Sequence, residues 1–146
     1  MYTNATYAGD ISCHDAWDML RSDHPAFLID VRTRAEWAFV GVPLLTSLKS
    51  EPLLVEWQGY PNMERNPGFS DSVSKALTDK GADPETNLLF LCRSGARSQS
   101  AAMAMTEAGF RNCYNVAGGF EGPADKNGHR GTTDGWKAAG LPWAQS

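Results

Sequence analysis

Apolar positions along the chain change period repeatedly. Residues 27–31 and 87–91 are short, nearly continuous apolar runs, the length of a buried strand. Residues 113–116 and 53–57 predict two further short strands. Between these runs the period lengthens. Residues 12–21 place Ala16, Trp17 and Leu20 at helical spacing behind Ser12, and Ser12 with Asp15 fits a capping box. Residues 34–39 allow a short helix. Residues 70–79 turn Val73, Ala76 and Leu77 inward, with Ser70 as cap and Gly81 as stop. Residues 98–108 put Ala101, Ala102, Met105 and Ala108 on one stripe, with Gly109 at the helix end. Residues 136–139 predict a terminal helical turn. Strands alternating with helices predict an α/β fold with a mostly parallel central sheet and helices on both faces.

The remaining segments are polar or broken. Residues 1–10 read as a loose lead-in. Residues 58–69 hold two prolines, two glycines and two asparagines and predict an irregular loop. Trp57, Tyr60 and Phe69 there read either as a wall over a site or as core. Residues 123–135 form a long polar loop.

The most informative junction lies between the run 87–91 and the helix 98–108. It is Cys92-Arg93-Ser94-Gly95-Ala96-Arg97. A turn ahead of a helix N-terminus aims backbone N–H groups and the positive end of the dipole at its mouth. Gly95 lets the backbone curl so that successive N–H groups converge. Arg93 and Arg97 add two positive charges, and no acidic residue lies between Glu85 and Glu107. Such surroundings favour a thiolate, the nucleophilic form of cysteine. A Cys buried for packing alone has no use for two arginines, which are costly to bury unpaired. Ligands in open α/β sheets collect at strand C-termini. Asp30 and Arg32, at the end of the run 27–31, are therefore expected on the same side as Cys92. They form either a pair that supports the loop or a salt bridge that only holds the strand end.

Composition narrows the picture. The 146 residues suit one domain with a single core. The net charge of −4 gives no general attraction to nucleic acid or acidic membranes. Cys13, Cys92 and Cys113 supply neither a disulfide framework nor a Cys-x-x-Cys pair. Cys13 reads as a bystander in a first helical turn. His14, His24 and His129 are scattered, so no metal site is expected. There is no signal-peptide pattern and no apolar run of about 18 residues, so a reducing cytoplasm is expected.

CRSGARS (92–98), with its Ala-rich helix and Gly109-Phe110, resembles the active-site loop of the rhodanese-like sulfurtransferases. FLIDVRTRAEW (27–37) resembles that family's LIDVR-x-x-x-E-aromatic segment. Asn115-Val116-Ala117-Gly118-Gly119-Phe120 and the stretch 135–142, GWKAAGLP, resemble its closing segments. The likeness runs from about residue 10 to the end, in the family's order. Where the family carries Gly-His-Ile-Pro-Gly-Ala, this chain has Gly41-Val42-Pro43-Leu44-Leu45, and its loop before Gly135 is longer than in many members.

The resemblance implies one rhodanese-like domain over residues 1–146, with a core of about 10–143. It implies that Cys92 takes sulfane sulfur from thiosulfate or a persulfide, and passes it to a thiol or protein acceptor. Arg93, Ser94, Gly95, Ala96, Arg97 and Ser98 would cradle the donor, the two arginines binding an oxyanion. Asp30 and Arg32 would lie behind them. No cofactor, nucleic acid or membrane is called for, and a monomer is expected. Two other readings stay open. One is a cysteine-based phosphatase or arsenate reductase, although Cys92 to Arg97 is Cys-x4-Arg, one residue shorter than the Cys-x5-Arg loops that hold phosphoryl groups. The other is a binding module without catalysis.

Overall fold

In chain order, the computed structural model, which describes residues 6–145, begins with strand β1 (Gly9–Ile11) and helix α1 (Cys13–Leu20). There follow β2 (Ala26–Asp30), α2 (Arg34–Phe39), β3 (Val42–Pro43), a 3-10 turn (Thr46–Leu48) and β4 (Leu53–Leu54). Then come β5 (Gln58–Gly59), β6 (Glu64–Arg65), α3 (Phe69–Asp79), β7 (Asn87–Leu91), α4 (Ala96–Glu107), β8 (Asn112–Val116) and β9 (Trp143–Ala144). Five strands form one sheet in the order β1-β8-β7-β2-β4, with every pairing parallel. Parallel neighbours need crossovers, and these put helices on both faces.

The alternation of side chains along the central strands shows the two layers. Leu88 and Phe90 of β7, Ile29 of β2 and Cys113 of β8 pack with α3 and α4. Leu89, Leu91, Leu28 and Val116 point the other way, toward Cys13 and Ala16 of α1 and toward Trp136. Both faces of the sheet are therefore covered, which is why β7 reads as an unbroken apolar run. Among the described residues no helix is long and apolar enough to cross a membrane.

Several sequence expectations shift. The segment 1–10 is not all lead-in, because Gly9–Ile11 is the edge strand paired with β8; residues 1–5 lie outside those described. Ser12 does cap α1, accepting from Asp15 N–H at 3.0 Å. Helix α3 starts at Phe69 and not after Ser70, because Phe69 is fully buried and meets Trp57 edge-to-face at 5.0 Å. Its buried residues are Phe69, Val73 and Leu77, and Ala76 is only half-buried. Helix α4 starts at Ala96, two residues before expected, and Ala108 is its exposed cap. The strand expected over 53–57 pairs only at Leu53–Leu54, and the loop 58–69 contains the small β5–β6 hairpin. The atypical Val42–Pro43 pairs with β9, a contact without a local sequence signal.

Candidate active site

Cys92 leaves the buried end of β7 and its side chain is 1% exposed. It lies at the base of a cleft of about 860 Å³. Arg93, Ser94, Ala96 and Arg97 line that cleft, joined by Thr33, Glu36, Phe39, Tyr60, Met63, Glu121 and Arg130. Gly95 and Ser98 reach the sulfur itself. The Gly95 N–H donates to Cys92 Sγ at 3.2 Å, and Ser98 Oγ stands 3.1 Å from it. The six loop residues and Cys92 thus converge on one place.

Two glycines explain how the loop keeps this shape. Gly95 has φ +113° and caps α4 by conformation alone; a Cβ there would lie 2.5 Å from the Ala117 carbonyl oxygen. Gly119 has φ +69°, and its Cβ would collide with the Arg93 carbonyl and lie 2.7 Å from Ser94 N. Only glycine fits both demands. The segment 117–122 thereby presses against the underside of the loop. Phe120 N–H donates to the Cys92 carbonyl at 2.7 Å, and the Glu121 and Gly122 N–H groups donate to the Arg93 carbonyl, each at 3.0 Å.

The arginines divide. Arg93 is exposed. Arg97, in the first turn of α4, is gripped by Glu36 through two bonds, Nη1 to Oε1 at 2.7 Å and Nη2 to Oε2 at 2.9 Å. Glu36 is also the last member of a complete capping box on α2, accepting from the Thr33 N–H at 3.1 Å. Burial pushes the Glu36 carboxyl up, but the Arg97 bond, the Thr33 N–H and nearby arginine charge outweigh it and leave it below 4.5. Thr33-x-x-Glu36 is a sequence signature of such a box, so this partner of Arg97 was detectable.

Asp30 and Arg32 form a fully buried pair, with Arg32 Nη2 2.6 Å from Asp30 Oδ2. They do not line the cleft. Arg32 instead donates to the Gly41 carbonyl at 2.8 Å and lies 4.2 Å from the Phe120 ring centroid. The pair reaches the loop from beneath, through Phe120. Of the three aromatics, Trp57 and Phe69 are core, whereas Tyr60 is 68% exposed and forms part of the cleft wall. The long polar loop adds Arg130 to the cleft lining. Its Asp125 collects the N–H groups of Asn127 and His129 and the Thr132 hydroxyl, which folds the loop on itself, and Arg130 donates to the Gly122 carbonyl at 2.7 Å.

The other thiols differ from Cys92 in their surroundings. Burial, with the charge of Asp134, pushes Cys13 up to about 12, and its S–H donates to the Gly119 carbonyl at 3.5 Å. Burial pushes Cys113 up to about 11. Both stay thiols at neutral pH.

A parallel sheet wound with helices, ending in a cysteine loop held at a helix N-terminus, is the architecture of a rhodanese-like domain. The chain belongs to the family described as the STR4 middle domain, whose model matches residues 8–146. It is similar to an uncharacterized RP600 homologue of Rickettsia rickettsii, 42% identical over 128 residues, covering 88% of this chain and 90% of that protein. The crystal structure of Rv0390 from M. tuberculosis superposes with a TM-score of 0.83 at 47% identity, over 97% of this chain and 100% of that one. The thiosulfate sulfurtransferase GlpE of Actinobacillus pleuropneumoniae is 26% identical over 133 residues, 91% of this chain and 90% of that protein.

Proposed function

We propose that the protein is a sulfurtransferase that works through a persulfide on Cys92. The observation that carries this reading is the Gly95 N–H donated to a single sulfur at the base of an open cleft, at the N-terminal end of α4, with Ser98 Oγ 3.1 Å from the same sulfur. The Cys92 thiolate attacks the outer sulfur of a donor. With thiosulfate, the donor S–S bond breaks and its electron pair leaves with sulfite, so that Cys92 becomes a persulfide. An acceptor thiolate then attacks the outer sulfur, and the bonding pair returns to Cys92 as thiolate. The two halves balance without an added oxidant or reductant, a double-displacement scheme. Arg93 meets an anionic donor. Arg97 shapes the loop, because its fork is already occupied by Glu36. That pairing also weighs against the phosphatase reading, in which the loop arginine must close around a phosphoryl group.

The cleft's exposed apolar wall suits a donor or acceptor with an apolar body next to its sulfur, such as a cysteine borne on a peptide. Mass spectrometry after incubation with thiosulfate tests the function. We expect one added sulfur, about 32 Da, on Cys92 and none on Cys13 or Cys113. Cys92→Ser is expected to abolish transfer while the domain stays folded. Equal labelling of all three cysteines would defeat the assignment.

A further inference from the structure

Behind the sulfur, a chain of hydrogen bonds runs from Cys92 to the edge of the sheet. Ser98 Oγ stands 3.1 Å from Cys92 Sγ and 2.6 Å from Asn115 Oδ1. Asn115 Nδ2 donates to Asp10 Oδ1 at 3.1 Å. The Tyr7 hydroxyl donates to the same Asp10 oxygen at 2.8 Å, and Gln99 Nε2 donates to the Tyr7 hydroxyl at 2.7 Å. Asp10 and Asn115 are register partners across the parallel β1–β8 pairing. Ser98 and Asn115 are buried, at 0% and 3%, whereas Asp10 is exposed.

Counting protons along this chain gives it a direction. A carboxylate only accepts hydrogen bonds. Asp10 therefore takes the amide N–H of Asn115, and this fixes which end of the Asn115 amide faces Ser98. That end is the carbonyl oxygen, which also only accepts. At 2.6 Å the one hydroxyl proton of Ser98 must lie between the two oxygens. Ser98 then presents a lone pair to Cys92 and can accept from a thiol, but it has nothing to donate to a sulfur anion. For Ser98 to donate to the sulfur, its proton must leave Asn115. Either the Asn115 carbonyl is abandoned in a buried place, or the amide turns over and confronts Asp10 with its oxygen.

We infer that Asp10 is a positioning residue: through Asn115 it sets which way the Ser98 hydroxyl points, and so restrains Ser98 from stabilising the anionic sulfur of Cys92. The inference deepens the sulfurtransferase reading by assigning a brake to the same nucleophile, but it concerns thiol reactivity and can be tested without sulfur transfer.

Asp10→Asn is the sharpest variant because the site is exposed and the change nearly isosteric. An amide at position 10 can donate to the Asn115 oxygen. Asn115 then turns its own N–H₂ to Ser98, and Ser98 gives its proton to the sulfur. The pH profile of Cys92 alkylation by iodoacetamide, followed by mass spectrometry, reads this out. In Asp10→Asn the midpoint is expected to move down by roughly one pH unit, the size of one hydrogen bond gained by a charged group. Asn115→Leu is expected to move it in the same direction, by releasing the Ser98 proton. Loss of the Asp10 charge alone also favours a thiolate, so both changes are repeated with Ser98→Ala. There the Asn115→Leu shift is expected to vanish, and the Asp10→Asn shift to shrink to the part that the lost charge supplies. A midpoint unmoved in Asp10→Asn, or an Asn115→Leu shift that persists without the Ser98 hydroxyl, would overturn the inference, whatever the outcome of the thiosulfate experiment.

Discussion

The floor of the Cys92 cleft and its walls are held by different means. The floor is backbone against backbone: loop carbonyls accept from 120–122, and Gly95 and Gly119 sit where no side chain fits. The walls are side chains on short elements. Phe39 at the end of α2 is 79% exposed, Tyr60 and Met63 project from the β5–β6 turn, and Arg130 leans from an Asp125-centred loop. A floor of this kind tolerates almost no change, because its partners cannot move without unmaking the sheet end. Walls of this kind can change identity while the nucleophile stays in place. The difference suggests that the chemistry belongs to the floor and the choice of substrate to the walls.

The strongest way to break this contrast is Gly119→Ala. A Cβ there strains a left-handed residue and collides with the Arg93 carbonyl. We expect a loss of about 3 kcal/mol in urea unfolding and loss of sulfur transfer with every donor. Full stability would mean that the floor yields more easily than its geometry implies.

A smaller effect is expected where wall and floor meet, at Glu36 and Arg97. Their side chains are 18% and 16% exposed. Glu36→Gln should cost about 1–2 kcal/mol and slow thiosulfate and persulfide donors alike, because it loosens the loop and reads no substrate. A selective loss with thiosulfate would instead give Arg97 a direct part in binding the anion. The folded-state pKa of Glu36 lies below its ordinary 4.5. Its contribution is therefore present above pH 4.5 and lost as pH falls through the lowered value. Unfolding at stepped pH should show a shallower acid limb in Glu36→Gln than in the parent.

The smallest effect on the fold should come from the walls. Phe39→Ser with Tyr60→Ser should leave stability within about 0.5 kcal/mol. KM should rise about threefold for a peptide persulfide with apolar residues beside its cysteine, and stay level for thiosulfate. Equal changes for both donors would erase the division between floor and walls.

The floor was largely legible in the chain. An apolar run, a glycine-containing turn and an alanine-rich helix are local signals, and they located β7, Cys92 and α4 to within two residues. Gly119 was visible as part of a motif, but its reason was not, since its constraint comes from Arg93 on another segment. Glu36 could have been found through its capping box with Thr33, although its pairing with the distant Arg97 could not. The link between Asp10 and Asn115 left no local trace, because a cross-strand pair depends on a register that only the assembled sheet defines. Tyr60 and Phe69 show the limit for aromatics: close in sequence and similar in character, one faces the cleft and the other the core.

All pairings of the main sheet are parallel, and the strand at one edge, β1, joins β8 from the far end of the chain. A ribosome therefore delivers Cys92 before Gly119, Phe120, Glu121 and Gly122, the residues that press on or bond to its loop. At a synthesis rate of about 5–20 residues per second, the newborn thiol spends on the order of seconds without its cradle. In that interval its reactivity is that of any cysteine in an unfolded chain, and the cell's own small disulfides and oxidants meet it on equal terms.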